Sequence, residues 1–539
     1  MTGGGGGIGA AVADRLGSDG WYVVTVDPLV TLDGSATLAE PRETTADHIN
    51  AAGGSARASS ASVTDGDALR DLFKELADEM GGLDAVVNVA GITRPTSFAR
   101  GSEEDWLAVL SVHLGGYLNV LEAALPIMAA AGRGHILGVT SGSGWRSADA
   151  GAYSCAKRAV ASLTWQLGRC TPPGVTVNAM SPIAETRMVT EALERARKAA
   201  EAAGRTASTG GLSLGSLPPP DALGPIGAYL AGDEFGWCNG RVLFAGGSEV
   251  AFIDEPRLIE AVRTGDTVSL ARVLEAVAPR ALAPAEAAQG TTGGGNPRFG
   301  AVFDEPAPES VPAAAVRSCA VVSDRPALAS GLTAALESRS VTCHAVDAVR
   351  GFNEAAKQLD AIAEQNGPLE AVVVATSDGA RQGAGEGWER VLASHRGIVE
   401  QIHADAAWAR ATADHSAGKD RPMRLVVLTD GSTPGGRSRA QAFAQLSRAA
   451  GGSTKGRVMA FAVSLEGREE QVAAPASELV SHLLADPDGA GLAGAELVVD
   501  ADWLGLRSHP RPTGSVVYGG PAIPAWLDRT LRDIAGSRS

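Results

Sequence analysis

The 539-residue sequence predicts an α/β protein made of two tandem parallel sheets, each doubly wound with helices on both faces. Three observations predict this class. Short, nearly continuous apolar runs alternate with amphipathic helical stretches, which is typical of parallel strands buried between helices. The alternation stops at an Ala/Pro/Gly-rich linker, residues 281–314, and then starts again. The segments after the linker also match the segments before it in order and spacing.

The first half, residues 1–255, contains a regular series of strand patterns separated by helical patterns such as 103–125. Residues 256–280 are expected to form a helical extension of this domain. The predicted strands are WYVVTVD (21–27), LDAVVNVAG (83–91), HILGVTS (135–141), VTVNAMSP (175–182) and RVLFAGG (241–247).

The second half, residues 315–539, repeats this series. GGLDAVVNVAG (81–91) aligns with GPLEAVVVATS (367–377), and the aligned segments that follow match Trp106 to Trp388 and His113 to His395. Any two α/β domains share some strand similarity, but the tryptophan and histidine matches go beyond it and predict an internal duplication. The predicted strands are CAVVSD (319–324), VTCHAVD (341–347), LEAVVVATS (369–377), RLVVLTDG (424–431), VMAFAVSLE (458–466) and ELVVDAD (496–502).

Composition narrows the possible partners. The net charge of −16 disfavours nucleic acid, because an acidic surface repels phosphate backbones. We expect no membrane insertion, since we find no apolar stretch of membrane-spanning length and no signal peptide. The five cysteines form no CxxC pair or Cys/His cluster, so we expect no metal site and a reducing, cytoplasmic environment.

The chain begins MTGGGGGIGA, a glycine loop with the spacing TGxxxGxG. Gly3, Gly7 and Gly9 would let backbone N–H groups approach a pyrophosphate, and a helix beginning near Ile8 would add its dipole. Asp27, 18 residues beyond Gly9, can accept hydrogen bonds from ribose hydroxyls and would repel a 2′-phosphate, which favours NAD over NADP. Two alternatives without a ligand remain: the glycine run is a flexible tail, and Asp27 is a turn residue.

The strand that should precede such a loop has no counterpart in the printed sequence. It would be central, and its loss would leave buried backbone groups unpaired at a cost of about 1–3 kcal/mol each. We expect either that the chain continues upstream of Met1 or that another segment fills the gap, and we favour the upstream continuation.

The segment GAYSCAKRAV (151–160) places Tyr153 and Lys157 on one face of a helix, at positions i and i+4. An ammonium near a phenol stabilises the phenolate and lowers its pKa, so we expect Tyr153 to exchange a proton with a substrate oxygen near neutral pH. Ser141 ends the strand pattern 135–141 and can hold the same oxygen. A YxxxK pair alone is common, but its place after a glycine loop, an N-x-A-G segment and this serine makes it specific.

On these motifs, residues from Thr2 to about Ser248 resemble the short-chain dehydrogenase/reductase superfamily, which has a Rossmann-like fold. The resemblance implies that Ser141, Tyr153 and Lys157 are catalytic and that Lys157 also binds the nicotinamide ribose. The cofactor contacts that the resemblance implies are Gly3, Gly7, Ile8, Gly9, Asp27, Ser62, Val63, Asn88, Ala90, Gly91, Tyr153, Lys157, Pro182, Ile183 and Thr186.

Three positions depart from the family pattern. His113 takes the place of a catalytic asparagine whose backbone holds a proton-relay water, and the resemblance implies a catalytic role for it. Ser62 stands where an aspartate flanks the adenine, and Ile183 replaces a glycine. Within the superfamily, the segments around His113, SFARGSEEDW (97–106) and SPIAETRM (181–188) are most similar to the (3R)-hydroxyacyl-CoA dehydrogenase domain of type-2 multifunctional enzymes. That domain uses NAD.

The second half has lost these motifs. Gly436, Ala440 and Asp430 align with the tyrosine, lysine and serine of the first half, and SDRPALASG (323–331) replaces the glycine loop. We therefore expect a degenerate copy that neither binds NAD nor catalyses. Because family members pair through the long helices, we expect the two halves to pair within the chain as a pseudo-dimer, with a further homo-oligomer left open.

The predicted function is an NAD-dependent oxidoreductase that interconverts a secondary alcohol and a ketone. The substrate is expected to be a small hydrophobic molecule, either a 3-hydroxyacyl thioester or a steroid-like alcohol. A ketoreductase of polyketide or other secondary metabolism is the alternative within enzymes, and a non-catalytic scaffold is the alternative outside them. Trp145, Arg146 and Met188 either border the substrate or pack as ordinary loop residues.

Overall fold

The computed structural model describes residues 1–38, 43–146, 148–187, 189–190, 194, 198, 217–264, 269–289, 316–377, 385, 387–520 and 522–536. The predicted fold class is confirmed, because this part of the chain forms two open, mostly parallel sheets covered by helices. The strands of the first half are β1 (Tyr22–Val26), β2 (Ser55–Ser59), β3 (Ala85–Asn88), β4 (Gly134–Val139), β5 (Val175–Pro182), β6 (Val242–Gly246), β7 (Glu249–Asp254) and β8 (Leu258–Arg263).

The second half supplies the remaining strands. Each strand pattern predicted from the sequence, in both halves, corresponds to a strand of the structure. These second-half strands are β9 (Ser318–Ser323), β10 (Thr342–Val346), β11 (Ala371–Ala375), β12 (Met423–Asp430), β13 (Val458–Leu465), β14 (Glu496–Val499), β15 (Trp503–Arg507) and β16 (Arg511–Val517).

The helices begin where the sequence offers capping side chains. Ser102 and Asp105 form a capping box, as do Thr44 and Asp47, and Thr433 caps the helix that follows it. The helices are α1 (Gly7–Ser18), α2 (Thr45–Ala51), α3 (Gly66–Met80), α4 (Glu103–Ala131), α5 (Gly151–Leu167), α6 (Gly224–Ala231), α7 (Leu270–Val277), α8 (Ala283–Ala287), α9 (Pro326–Glu337), α10 (Phe352–Asn366), α11 (Gly387–Ser394), α12 (Ile398–Lys419), α13 (Pro434–Ser447), α14 (Ala450–Ser453), α15 (Glu469–Ala485) and α16 (Leu527–Gly536).

The two sheets exchange strands. The first sheet runs β3-β4-β5-β6 in parallel, continues with antiparallel β7, and ends with β16 from the far end of the chain. The second runs β10-β9-β11-β12-β13-β14 in parallel, continues with antiparallel β15, and ends with β8 from the first half. Each half therefore covers the sheet edge of the other, and edge strands gain the hydrogen-bond partners that an open sheet lacks.

The predicted helical extension over 256–280 is confirmed for α7 (Leu270–Val277) and wrong for its first part. Residues 258–263 form β8, in which Glu260 and Val262 are buried and their neighbours are exposed, a period of two rather than of a helix. The predicted linker also begins too early, because residues 281–289 include α8, and Leu282 and Ala285 lie in the core of the second half. The rest of the linker, residues 290–314, lies outside the described residues.

Met1 to Gly3 lie between the ends of β1 and β3. The Thr2 N–H donates to Val87 O at 3.0 Å, and the Val89 N–H donates to Thr2 O at 3.1 Å. On the other side, the Gly3 N–H donates to Val26 O at 2.9 Å. These three residues thus join β1 and β2 to the rest of the first sheet at the point where the glycine loop begins.

Helix α4 is long and apolar enough to cross a membrane by length and composition alone. Its side chains Leu110, Leu114 and Val120 are buried in a core that contains residues of both halves. A π-helical turn, Ser111–Gly115, interrupts it next to the cavity described below, and such turns are frequent at functional sites. In this structure α4 is a core helix of the first half.

Candidate active site

A cavity of about 620 Å³ lies at the carboxyl ends of the first-sheet strands. In open parallel sheets this edge is the usual ligand site. The predicted site residues that line it are Gly3, Gly7, Ile8, Asp27, Ser62, Val63, Ala90, Gly91, His113, Ser141, Tyr153, Lys157, Pro182 and Thr186.

The glycine loop and Asp27 meet at one end of this cavity. The Gly5 N–H donates to Asp27 Oδ2 at 3.0 Å, and the Leu29 N–H donates to Asp27 Oδ1 at 2.8 Å. Because a carboxylate offers about four acceptor positions, Asp27 keeps capacity for ribose hydroxyls. The loop leads into α1, whose N-terminus faces the cavity through Gly7 and Ile8. These features fit a dinucleotide with its pyrophosphate on the helix N-terminus.

A loop that the sequence did not single out closes this end of the cavity. Residues 29–38 fold back on themselves and then bond to the segment after β3, where the Thr93 N–H donates to Leu32 O at 2.8 Å and Arg94 Nε donates to Asp33 O at 2.9 Å. Its apolar side chains, among them Leu29 and Leu38, line the cavity. The sequence offered little sign of this loop beyond the alternating apolar residues of PLVTLDGSATL. The loop is fixed by contacts with a segment about 60 residues further along the chain, which a local pattern does not reveal.

Ser141, Tyr153 and Lys157 meet at the other end of the cavity. Tyr153 and Lys157 share one face of α5, with Lys157 Nζ 5.7 Å from the centre of the tyrosine ring. The Ser141 hydroxyl lies close enough to the Tyr153 phenol to lower its pKa. Lys157 is 3% exposed and donates a hydrogen bond from Nζ to Val139 O at 2.7 Å. The structure thus brings together the three residues that the sequence proposed as a catalytic set.

The expected lowering of the Tyr153 pKa is wrong for the protein without ligand. Burial raises the pKa of Tyr153, and the neighbouring Ser141 hydroxyl offsets only part of this effect. Burial also lowers the pKa of Lys157 to about 7. The reason is that an apolar environment disfavours both charged forms, phenolate and ammonium, and a carbonyl is the only partner of the lysine Nζ within the described part of the chain.

His113 lines the cavity and contacts the Tyr153 ring. Its ring meets the Tyr153 ring edge to face with centroids 4.9 Å apart, and its Nε2 donates to Ile92 O at 2.8 Å. Burial lowers the pKa of His113 to about 3, so the ring is neutral at ordinary pH. Nδ1 is buried and has no hydrogen-bond partner among the described residues. The geometry therefore makes His113 a support for Tyr153 and for the main chain at Ile92.

Gly91 makes room for this histidine. A Cβ at position 91 would overlap His113 Cε1 and would come within 3.2 Å of Nε2. No side chain fits between the ring and the main chain here, so the glycine of the N-x-A-G segment and the unusual histidine depend on each other. This coupling was not visible in the sequence, because the two residues are 22 positions apart and meet only through the π turn of α4.

Three predicted cofactor contacts lie outside the cavity lining. Asn88 is buried and accepts a hydrogen bond from Thr2 Oγ1 at 2.6 Å, so it joins the start of the chain to β3. Gly9 packs behind the loop against Gly3 O. Ile183 is turned toward Gly246, and its N–H donates to Ala245 O. All three residues pack behind the walls of the cavity. The family pattern alone does not distinguish residues that pack behind the wall from residues that contact the cofactor.

Two of the three residues proposed to border the substrate can be placed. Trp145 packs beside β5 and donates from Nε1 to Ser181 Oγ at 3.1 Å, and Arg146 lies beside Gly142. Neither lines the cavity. Met188 lies outside the described residues. An arginine that the sequence did not mark, Arg187, does line the cavity beside Gly6.

The corresponding edge of the second half is crossed by polar contacts. Arg325, in the loop after β9, pairs with Glu469 at the start of α15 at 2.9 Å. Asp324 accepts hydrogen bonds from the N–H and Oγ of Ser377, each at 2.7 Å. These contacts join the loop after β9 to the start of α15 and to the loop after β11.

The α/β fold, the glycine loop with its carboxylate and the Ser–Tyr–Lys set around one cavity define an oxidoreductase that acts on CH–OH or keto groups with a nicotinamide dinucleotide. Comparison with known proteins agrees with this class. The short chain dehydrogenase family profile matches residues 1–197. The short-chain reductase protein NovJ of Streptomyces niveus is 32% identical over 249 residues, 46% of this chain and 91% of that protein.

Two further relatives match the same half. An acetoacetyl-CoA reductase of Cupriavidus necator is 30% identical over 44% of this chain and 92% of that enzyme. The peroxisomal hydratase-dehydrogenase-epimerase of Saccharomyces cerevisiae is 32% identical over 36% of this chain, but over only 21% of that protein. The chain therefore belongs to the short-chain dehydrogenase family, and the predicted resemblance is confirmed.

A solved structure matches both halves at once. The N-domain of a bacterial malonyl-CoA reductase, solved with NADP, superposes over 90% of this chain and 94% of its own with a TM-score of 0.63. At 15% identity this likeness concerns the fold alone. It shows that two Rossmann-like units in one chain, joined as they are here, form a known arrangement.

Proposed function

We propose that the protein is an NAD-dependent oxidoreductase that interconverts a 3-hydroxyacyl thioester and the corresponding 3-oxoacyl thioester. The observation that carries the reaction is the meeting of Ser141, Tyr153 and Lys157 at a cavity whose other end holds a glycine loop. The acyl thioester is supported by the 30% identity to an acetoacetyl-CoA reductase over 92% of that enzyme.

The chain's own residues would hold the dinucleotide along the cavity. The glycine loop and the N-terminus of α1 would bind its pyrophosphate, Asp27 an adenosine ribose, and Lys157 the nicotinamide ribose. The Asp27 carboxylate would repel a 2′-phosphate, which supports NAD over NADP. When bound, the nicotinamide supplies or accepts the hydride.

The protein side of the reaction is the transfer of one proton. Because burial raises the pKa of Tyr153, the phenol is the resting form near neutral pH, ready to give its proton to a carbonyl oxygen held by Ser141. In the oxidation direction the phenolate must form first, so we expect that rate to rise with pH. Lys157 can stabilise that phenolate only while it is charged, and because its pKa is about 7 we expect the rise in rate to level off above neutral pH.

The direct test is a panel of acyl thioesters, steroids and simple alcohols, followed by NADH absorbance in wild type and Tyr153→Phe. Loss of the phenol proton should lower the rate by on the order of 10²–10⁴-fold, while NADH still quenches tryptophan fluorescence with an unchanged dissociation constant. Full activity of Tyr153→Phe would contradict the mechanism. A preference for steroids or polyketide-like ketones over acyl thioesters would contradict the substrate class, and tighter binding of NADPH than of NADH would contradict the cofactor.

We propose further that the second half binds no dinucleotide, because SDRPALASG (323–331) replaces the glycine loop and the Arg325–Glu469 and Asp324–Ser377 contacts occupy polar groups of this segment. Calorimetric titration with NADH should then give one site per chain, and Asp27→Arg should remove it. A second site per chain, still present in Asp27→Arg, would show that the second half binds the cofactor.

A further inference from the structure

Helix α13 of the second half lies along α5, the helix that carries Tyr153 and Lys157. The buried side chain of Gln445 donates from Nε2 to two carbonyl oxygens of the first half, Ser143 O at 2.9 Å and Arg146 O at 2.7 Å. One turn further on, Arg448 Nη1 donates to Trp145 O at 3.0 Å. Two side chains of the second half thus bind three backbone carbonyls within one short loop.

That loop, residues 142–146, is the direct continuation of Ser141. The Ser143 N–H donates to Ser141 Oγ at 3.2 Å, and the Gly144 N–H donates to Ser141 O at 2.9 Å. The Ser141 hydroxyl in turn lies beside the Tyr153 phenol, and both residues line the cavity. A shift of the loop would therefore move the hydroxyl that is proposed to hold the substrate oxygen.

The first half blocks movement of this loop toward α5. A Cβ on Gly144 would lie 2.8 Å from Lys157 C and 2.9 Å from Arg158 N, so the loop already touches the backbone of α5. Movement away from α5 is opposed by the hydrogen bonds from Gln445 and Arg448, in addition to the first-half bond from Trp145 to Ser181.

A second contact of the same kind reaches the other end of α5. Ser453 Oγ, in α14, accepts from the Ala99 N–H at 3.3 Å and lies 3.3 Å from Ser97 Oγ. The segment that contains these two residues packs against the N-terminus of α5, where a Cβ on Gly151 would lie 2.6 Å from Ser97 N. The second half therefore binds backbone or side-chain atoms of two first-half segments, one on each side of Tyr153.

We propose that the second half acts as a built-in positioning partner for the active site of the first half. Gln445 and Arg448 hold the Ser141 loop in its reactive position, and Ser453 holds the segment 97–99. These are positioning residues, since they touch neither the cavity nor the proposed substrate. The proposal rests on the proposed function in one respect: it takes Ser141 and Tyr153 as the groups that must be aligned.

The main competing explanation is that these contacts only stabilise the interface between the halves. The chain offers a matched control for this. Ser438, also on α13, donates to Ser162 Oγ at 3.1 Å and accepts from Gln166 Nε2 at 3.0 Å, so it bonds α5 across the same interface without touching the loop. Ser438→Ala removes interface hydrogen bonds but leaves the loop contacts in place.

The experiment compares the full-length Gln445→Leu and Ser438→Ala variants with wild type. Gln445→Leu keeps the volume but removes the donor to both carbonyls. We expect kcat to fall by about 10- to 100-fold, as for a small misplacement of a reacting group, with the dissociation constant for NADH unchanged. Amide hydrogen exchange of residues 142–146 should become faster. Ser438→Ala should alter neither kcat nor that exchange. Arg448→Met, which removes one bond to the same loop, should give a smaller change in the same direction.

Two results would overturn the proposal: an equal loss of kcat in Gln445→Leu and Ser438→Ala, or unchanged exchange of residues 142–146 in both loop variants. The exchange measurement requires no substrate. It therefore separates a failure of the positioning role from a failure of the proposed reaction, which would show as an inactive wild type. Should Gln445→Leu not fold, Arg448→Met and Ser453→Ala test the same contacts with smaller changes.

Discussion

Replacing Lys157 with methionine should stabilise the protein at neutral and mildly acidic pH even though it removes a residue of the proposed active site. Lys157 is 3% exposed, and among the described residues its Nζ has one hydrogen-bond partner, the carbonyl of Val139. Burial lowers its pKa from 10.5 to about 7, which means that the folded protein holds the charged lysine at a cost in free energy. Methionine has a similar length and carries no charge.

The magnitude follows from the pKa. At about 1.4 kcal/mol per pKa unit, the charged form costs up to roughly 5 kcal/mol below pH 7. Methionine also leaves Val139 O without its partner, at a cost of about 1–3 kcal/mol. The variant should therefore be more stable than wild type by about 2–4 kcal/mol at pH 6.

The sign of the pH dependence can be tested separately. Between pH 7 and 10.5 the unfolded wild type binds more protons at this lysine than the folded protein does, so wild-type stability rises with pH by up to about 1.4 kcal/mol per pH unit relative to the variant. The advantage of Lys157→Met should shrink across this range and reverse by about pH 10, where only the lost hydrogen bond remains.

Urea denaturation of both proteins at pH 6, 8 and 10, with the first transition followed by tryptophan fluorescence, measures this difference. An advantage that is the same at pH 6 and pH 10 would show that lysine charge is not its cause. A variant that is less stable than wild type at pH 6 would refute the reasoning outright.

Two other substitutions test the packing around the site and between the halves. Gly91→Ala should cost about 1–3 kcal/mol of stability by forcing the His113 ring out of place, and this cost should vanish when His113→Ala is added; an equal cost in both backgrounds, by thermal denaturation, would contradict the coupling. Arg158→Met should cost about 3–5 kcal/mol because it leaves the buried carboxylate of Glu496, 3.0 Å away, without this partner. Arg15→Met, which breaks an exposed ion pair on α1, should cost no more than about 1 kcal/mol, and similar losses in the two arginine variants would contradict the burial argument.

Much of the proposed site could be predicted because its signals are local. Tyr153 and Lys157 are four residues apart on one helix, and the glycine loop is a continuous run at a helix start. Parallel strands carry their own signal, since each is a short apolar run regardless of its neighbours in the sheet. Asp27 followed from the loop by a fixed spacing along the chain.

Other features depended on contacts between distant segments. β8 was predicted as helix because its two buried residues, Glu260 and Val262, are too few to reveal a period, and its partner β15 lies about 240 residues further on. The neutral state of His113 and the lowered pKa of Lys157 arise from burial on all sides, which the sequence does not display.

The sequence by itself therefore determined the fold class, the order of the predicted strands, the family and the three residues around the cavity, because each of these is encoded in patterns a few residues long. Only the tertiary structure decided how each half completes the sheet of the other and how the second half contacts the site in the first. The exchange of β8 and β16, and the hydrogen bonds from Gln445 to the loop after Ser141, join residues about 250–300 positions apart. Such pairings depend on the shape of two folded surfaces, and no pattern along the chain carries that information.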